Sequence, residues 1–340
     1  MSLSVDRLSL SGEQYTRWCA EIPSLPLYLQ PWWLLAASGM GEMDVLTTTG
    51  SKEGAPTLMW PLFMPTRRHL IVPPCCQSVG PLSDRLGAVG ETPFDRDRYI
   101  AHLAAMQALS EALPSSLRYI EAHLPLDYWD WLPCETPAGA WRSSIAYTHL
   151  LDLTNSARTE LYNKSITSKL RYASRINLQA LWSNATNRAT CIDMLINLCH
   201  TSLQRSGGDR LCASSLSRLM TAALERQQGV VHLLLSPTTG RPVAGAFVAH
   251  YDGIAYYIAG GQERCREGRD AVALLLDNLF GWCLEAGCHT FDFEGSMQPG
   301  IAFFFRNFGA VPHPYLRLQA GRQTLAMRLQ LRRYYLQHLY

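Results

Sequence analysis

No stretch of this 340-residue chain approaches the ~20 consecutive apolar residues that a bilayer-spanning helix needs, so no membrane span is expected. An excess of one charge is missing too. Thirty Lys and Arg against 28 Asp and Glu leave a formal net charge of +2, which excludes the electrostatic footprint of a dedicated duplex-DNA binder and leaves room only for a local basic groove. Metal-ligand spacing is absent: the ten cysteines contain no C-x-x-C and the ten histidines no H-x-x-x-H, so no metal is expected. Cys75 and Cys76 are adjacent, and Cys283 and Cys288 stand too far apart for a zinc knuckle. Several cysteines lie in apolar runs, where a free thiol behaves as a small hydrophobe. The opening MSLSVDRLSLSGEQ has no basic segment followed by an apolar one. Reduced thiols and no leader together lead us to expect a cytoplasmic protein.

What the chain does have is core-forming material. Apolar residues make up 47% and charged ones 17%, and the length suits about two domains of roughly 150 residues each. Residues 10–20 read as a short helix, Leu27–Ser38 as a helix with Pro31 near its first turn, and Asp44–Thr48 and Thr57–Phe63 as strands around a Ser51–Pro56 turn. The proline-broken segment Ile71–Leu82 suits an edge or cleft lining, with Gln77 a candidate lining residue. A helix over Arg98–Leu113, a strand over Leu117–Ala122 and an aromatic cluster at Tyr128–Trp131 complete a first α/β domain, residues 1–152.

The second domain, residues 153–340, opens on a helix carrying Lys164, Lys169, Arg171 and Arg175. Helices over Cys191–Gln204 and Ala213–Arg226 flank a Gly-Gly break, where Asp209 and Arg210 could sit on a lid. Strands over Val230–Leu235, Val243–His250 and Ile254–Ala259 follow, the last two joined by Asp252-Gly253, a strong hairpin signal. A helix over Asp270–Ala286 then makes Thr290–Phe293 a parallel neighbour of Ile254–Ala259, and the last strand spans Pro314–Leu318, ahead of a C-terminal helix. The class is α/β (α+β), with mixed, mostly antiparallel sheets flanked by helices.

The most informative stretch is FDFEGSMQPGIAFFFRNFGA at Phe291–Ala310. On a strand, Asp292 and Glu294 share one face and Phe291 and Phe293 the other. Two neighbouring carboxylates raise one another's pKa, which yields a base able to deprotonate an ammonium. The competing reading is an ordinary ion pair to Arg306 or Arg269. Tyr256 and Tyr257 alternate on the adjacent strand; packing is the commoner role for strand tyrosines.

Together with YLQPWWL at Tyr28–Leu34 and SKLRYASR at Ser168–Arg175, this stretch resembles the Fem-type branch of the GNAT acyltransferase superfamily, whose members are double-GNAT proteins. The match to the family's F-x-G … G-I … F-K-x-x-F-G region aligns Arg306 with its lysine, one residue short. The resemblance implies two tandem GNAT-like domains, the first reduced and the second complete. It also implies N-acyl transfer by direct attack of an amine, small molecule or peptide, on an activated acyl donor. The donor would lie where Ile254–Ala259 and Thr290–Phe293 splay apart, with Glu294 and Asp292 catalytic and Tyr256 protonating a leaving thiolate. Acyl-CoA is the favoured co-substrate. The loop Cys265-Arg-Glu-Gly-Arg-Asp270 keeps the central Gly268 of the family's pyrophosphate loop but not its flanking residues, and Arg264, Arg266 and Arg269 supply charge. Arg306, Tyr257, Arg171, Arg175 and Gln77 would contact substrates. Aminoacyl-tRNA as donor, or a binding protein on a degenerate GNAT fold, are the alternatives.

Overall fold

The computed structural model describes residues 3–9, 13–21, 25–37, 42–50, 58–64, 70–71, 82–83, 96–113, 119–124, 126, 141–154, 158–205, 213–294 and 298–321. Gln77, Asp209, Arg210, the Ser51–Pro56 turn, the Tyr128–Trp131 cluster and the C-terminal helix fall outside these residues. The side chain of Arg269 does as well. The chain forms two compact units, one of residues Met1–Ala146 with the strand from Pro314, the other of residues Tyr147–His313.

In the first unit β1 (Leu3–Ser9), β2 (Glu42–Gly50), β3 (Leu58–Met64) and the two-residue β5 (Leu82–Ser83) make an antiparallel sheet in that order. The alternation in β1, Leu-Ser-Val-Asp-Arg-Leu-Ser, is too polar to have been read as a strand. Pairing with β2 along its whole length holds it in place. The short β4 (Leu70–Ile71) runs parallel to β6 (Tyr119–His123), and β6 pairs antiparallel with the end of β13 (Val311–Gly321). Helices α1 (Glu13–Glu21), α2 (Pro31–Ala37) and α3 (Arg96–Glu111) accompany them. Trp60, Met106, Leu109, Ile120 and Leu318 are buried in a common core.

The second unit runs from the later half of β7 (Arg142–Asp152) through α4 (Lys164–Ile176), β8 (Gln179–Trp182), α5 (Arg188–Arg205) and α6 (Ala213–Glu225). It continues with β9 (Gly229–Leu235), β10 (Pro242–Tyr251), β11 (Ile254–Gln262), α7 (Gly268–Glu285), β12 (Thr290–Asp292) and α8 (Pro299–Arg306). Its strands lie in the order β7-β12-β11-β10-β9-β8, antiparallel except for the β11–β12 pair, which is parallel as the intervening helix requires. Asp252 and Gly253 turn the β10–β11 hairpin with φ of 48° and 75°, the twist-compatible geometry of a two-residue loop. Helix α7 ends in a Schellman motif. Gly287 takes φ 84°, Cys288 N–H bonds the Cys283 carbonyl at 2.8 Å and Gly287 N–H the Leu284 carbonyl at 3.0 Å. Phe280 on α7 meets Phe291, Phe293 and Phe308 edge-on at 4.8, 5.8 and 5.6 Å, which pins β12 and α8 to α7.

One buried polar group in this core makes stability depend on pH. His232 on β9 is fully buried, stacks on Trp182 at 3.6 Å, and has Nδ1 at 3.3 Å from the Leu181 carbonyl and Nε2 at 3.2 Å from Asn278. Burial pushes its pKa down to about 4 from 6.5, so the unfolded chain binds a proton that the folded one rejects between those values. The stabilisation is complete above pH 6.5 and is lost as pH falls toward 4, on the order of 3 kcal/mol in total. Urea unfolding measured from pH 7 to 4 should show this slope in the wild type and a flatter line in His232→Gln.

Candidate active site

The site is built where β11 and β12 separate. Their pairing covers Ile254↔Thr290, Ala255↔Phe291 and Tyr256↔Asp292, after which β12 stops while β11 continues to Gln262. On its other edge β11 stays paired with β10, with a register shift that leaves Ile258 without a partner between Tyr257 and Ala259. A bulge of this kind bends a strand, and here it falls just past the last β11–β12 pair. From Tyr257 onward no residue of β12 stands opposite β11, so one edge of its peptide groups is free of that neighbour.

The carboxylates stand at this point, arranged differently from the expectation. The strand ends at Asp292, one residue earlier than Phe293, and Glu294 adopts the left-handed conformation with φ 59°, so strict alternation does not carry through to Glu294. A non-glycine residue held there is strained and needs a reason. The reason visible locally is Asp292, whose Oδ1 accepts the Glu294 N–H at 2.8 Å and also the Thr148 hydroxyl of β7. Asp292 is thus a buried turn-former with two donors.

Burial raises the pKa of Asp292 to about 6, against the lowering effect of Thr148 and the Glu294 amide. Burial alone raises Glu294 to about 8. Mutual repulsion, the cause expected from the sequence, is replaced by desolvation. The expected ion pair is not seen either: among the described residues Arg306 makes no ion pair with Asp292 or Glu294. Glu294 Oε1 is buried and accepts no hydrogen bond among them.

Reading the sequence missed β7 and with it two neighbours of this turn. Thr148 holds Asp292. His149, 2% exposed, gives its carbonyl to Phe293 N–H at 3.0 Å and packs against Phe305 at 5.8 Å. Its Nδ1 is buried and finds no partner among the described residues. Burial first, then the charges of Arg306 and His313, lower its pKa. The only signal for either residue was the pattern Ala-Tyr-Thr-His-Leu-Leu-Asp, too irregular to be read as a strand.

The comparisons with known proteins bear on the fold that carries these residues. Residues 164–300 match the family model described as an acetyltransferase (GNAT) domain. FemX superposes with a TM-score of 0.62 at 11% identity, covering 92% of this chain and 96% of its own. The fold is a Fem-like, tandem GNAT fold. A tandem GNAT protein from the clavulanic acid biosynthesis pathway follows at TM-score 0.54 and 12% identity, covering 95% and 100%. L-PGS from Bacillus licheniformis reaches 0.53 at 13%, covering 98% of each chain. No curated protein sequence matches the chain.

Around the parted strands of this GNAT sheet, the remaining candidates divide. Tyr256 lies in register with Asp292, is buried, and burial, followed by the charges of Asp292 and Asp252, holds its phenol protonated well above the usual range. Tyr257 takes the other face, 6.5 Å from Phe291, its hydroxyl so close above Gly260 that a Cβ there would sit 1.8 Å from it. At the start of α7, Gly268 N–H donates to Cys265 Sγ at 3.1 Å. A Cβ on Gly268 would lie 2.2 Å from the Glu263 carbonyl, so the loop depends on glycine here. Arg264 and Arg266 are exposed beside it, and Arg266 Nε bonds the Tyr172 hydroxyl of α4 at 2.8 Å. That bond joins the basic helix to the loop. Arg171 and Arg175 are exposed on α4 with no contact to Asp292 or Glu294 among the described residues. Helix α4 is tied to α8 by Asn163, whose N–H bonds the Asn307 carbonyl at 3.0 Å, and by Lys169 over the Phe304 ring at 5.2 Å. Arg306 is exposed at the end of α8.

Proposed function

We propose that this protein is an N-acyltransferase in which Glu294 takes a proton from an amine that attacks an activated acyl group beside the free edge of β11. The observation that supports this most directly is the state of Glu294: strained, half-buried, with a buried Oε1 that has no partner among the described residues, and with a pKa of about 8. A carboxyl kept in that condition costs stability, and a base matched to the pH of an amine's chemistry is what such a cost provides. Peptide N–H groups of β11 beyond Tyr256 would polarise the donor carbonyl and hold the developing oxyanion. Tyr256 would return a proton to the leaving group. Arg306 would orient one substrate and Tyr257 would line the donor side of β11.

The donor we favour is an acyl-CoA. The N-terminal amides of α7, with Arg264, Arg266 and Arg269, would receive its pyrophosphate. Arg171 and Arg175 on the adjoining α4 would extend the cationic surface. The solved tandem GNAT relative is described as a form without AcCoA, which makes that thioester the first to try. An aminoacyl-tRNA donor is the second reading, favoured by the likeness to FemX and by the charge on α4. The acceptor is an amine, on a small molecule or a peptide, and the cytoplasm is where we place the reaction.

Thermal unfolding with acetyl-CoA and longer acyl-CoA esters tests the donor. At a hundredfold excess over Kd a bound ester should stabilise the fold by about 2.7 kcal/mol, and Arg264→Ala with Arg266→Ala should remove most of that gain. No stabilisation by any thioester, with binding to charged tRNA, would transfer the site to the second donor. Binding of neither, with no turnover of any amine, would leave a non-catalytic protein on an acyltransferase fold.

A further inference from the structure

Among the described residues of the second unit, two buried side-chain polar atoms have no hydrogen-bond partner, Nδ1 of His149 and Oε1 of Glu294. They belong to the same turn. Strands β7 and β12 pair antiparallel as far as Leu150↔Asp292, and the next step is the 3.0 Å bond from Phe293 N–H to the His149 carbonyl. His149 therefore stands across from Phe293, and Glu294 is the residue that follows. Directly opposed residues of an antiparallel pair lie about 4.5–5.5 Å apart at Cα, so the two side chains start from neighbouring points at one end of the β7–β12 pair.

A buried polar atom left unpaired costs free energy, and native structures keep few of them. Two at one turn mark a place where a ligand atom or a water completes the bonding. The turn lies where β12 ends and β11 loses its neighbour. Packing holds the imidazole there: its ring meets Phe305 at 5.8 Å, and Phe305 stacks on Phe293 at 4.5 Å. Burial, followed by the charges of Arg306 and His313, lowers the pKa of His149, so the ring is neutral at neutral pH and can offer a lone pair on Nδ1. A carboxylate oxygen and an imidazole lone pair are both acceptors. The group that satisfies two acceptors at once, with several N–H donors and no acceptor of its own, is an ammonium.

Stoichiometry requires a second acceptor as well. When an ammonium becomes an amide its nitrogen loses two protons, one before attack and one after, and Glu294 accounts for the first alone. We propose that His149 is a second residue on the acceptor's nitrogen, where Nδ1 holds the amine beside Glu294 Oε1 and takes the proton lost after attack. This rests on the N-acyl transfer proposed for Glu294. The first proton passes to Glu294 and frees the nitrogen lone pair. That pair bonds the acyl carbon, the C–S bond of the thioester breaks, and the departing sulfur takes the Tyr256 proton. The nitrogen, now cationic, gives its second proton to His149 Nδ1. Of the two protons collected, one restores Tyr256 and the other goes to solvent. A nitrogen joined to a re-forming carbonyl is far more acidic than a free ammonium, so a weakly basic, neutral histidine suffices for this step.

The test combines kinetics with nitrogen NMR on the full-length protein, using acetyl-CoA or charged tRNA as donor and ethanolamine, glycinamide and lysine as amines. His149→Phe keeps an aromatic ring against Phe305 and should raise the amine KM about 10–100-fold. It should lower kcat by about 10²-fold and leave the KM of the donor within about twofold. His149→Gln restores a hydrogen-bond acceptor but no base, so it should recover the amine KM and not kcat. With ¹⁵N-imidazole histidine, and His149 assigned by its loss in the Phe variant, the wild-type Nδ1 signal should move as a turned-over amine is added and saturate with it. An amine that is acylated while leaving that signal unmoved overturns the inference and leaves the proposed function standing. So does a His149→Phe enzyme with unchanged amine KM and kcat. An amine that moves the signal but is acylated from neither donor overturns the proposed function, and the proton step with it. If no amine moves the signal and none is acylated, both fall, and the buried nitrogen holds a water only.

Discussion

Glu294→Gln should lower the rate of acyl transfer by about 10²–10⁴-fold and at the same time raise thermal stability at alkaline pH. The two effects have one origin. In the folded protein Glu294 titrates near 8 instead of 4.5 because burial penalises its charge. A group raised in this way contributes its stabilisation fully below pH 4.5 and loses it as pH rises through about 8. Ionised above that pH, the wild type therefore carries a half-buried charge, one oxygen of which has no partner among the described residues, at a cost on the order of a few kcal/mol that the amide does not have. The rate follows the opposite trend, because only the carboxylate can accept the proton of the amine. The wild type should show kcat/KM rising with pH to a plateau above about 8, and the amide variant should lack that limb. Acetyl-CoA with a panel of amines, assayed from pH 6 to 9.5 beside a melting curve at each pH, provides both readouts. A Gln variant that keeps the rate and the limb would remove Glu294 from the chemistry. One that merely loses stability would make it a structural residue.

A pair of alanine substitutions should have opposite signs. Gly261 lies on β11 beyond its last pairing with β12, and a Cβ there would meet α5 backbone atoms, the carbonyl carbon of Leu198 and the amide nitrogen of Cys199, at 2.6 and 2.7 Å. Backbone cannot rotate away as a side-chain tip can, so Gly261→Ala must push α5 from the strand at a cost of about 1–3 kcal/mol or more. Gly281, inside α7, has nothing within 4 Å of a built Cβ, and Gly281→Ala should stabilise the helix by about 0.5–1 kcal/mol. Urea midpoints measured side by side check both. Because Gly261 also sets the course of β11 along the proposed donor edge, its alanine variant should weaken acyl-CoA binding, while the Gly281 variant should leave it unchanged.

Much of the frame could be read from local pattern. The hairpin at Asp252-Gly253, the apolar run of α7 with Gly287 after it, and the basic helix capped by Asn163 carry signals within a few residues of each element. Strand β7 carries no such signal. Its residues Tyr147–Leu150 mix aromatic, hydroxyl and imidazole side chains, and they become a strand because β12 offers a partner for Leu150, Leu151 and Asp152. So Thr148 and His149 were invisible as site neighbours. The acids show the same limit: period-two spacing placed Asp292 and Glu294 on one face, but Asp292 ends the strand by accepting the Glu294 N–H, and the alternation stops there.

The sequence by itself determined which residue types are available and the periodicity that forms each element: a parallel strand behind a helix, two acids at its end, arginines around a single loop glycine. Only the tertiary structure decided where β11 loses its neighbour and which carboxyl keeps a buried oxygen without a partner among the described residues. Desolvation and hydrogen bonding depend on what surrounds a group in space. Chain neighbours supply only part of those surroundings; Thr148 and Asp292, or His149 and Phe305, meet only after the strands between them have paired.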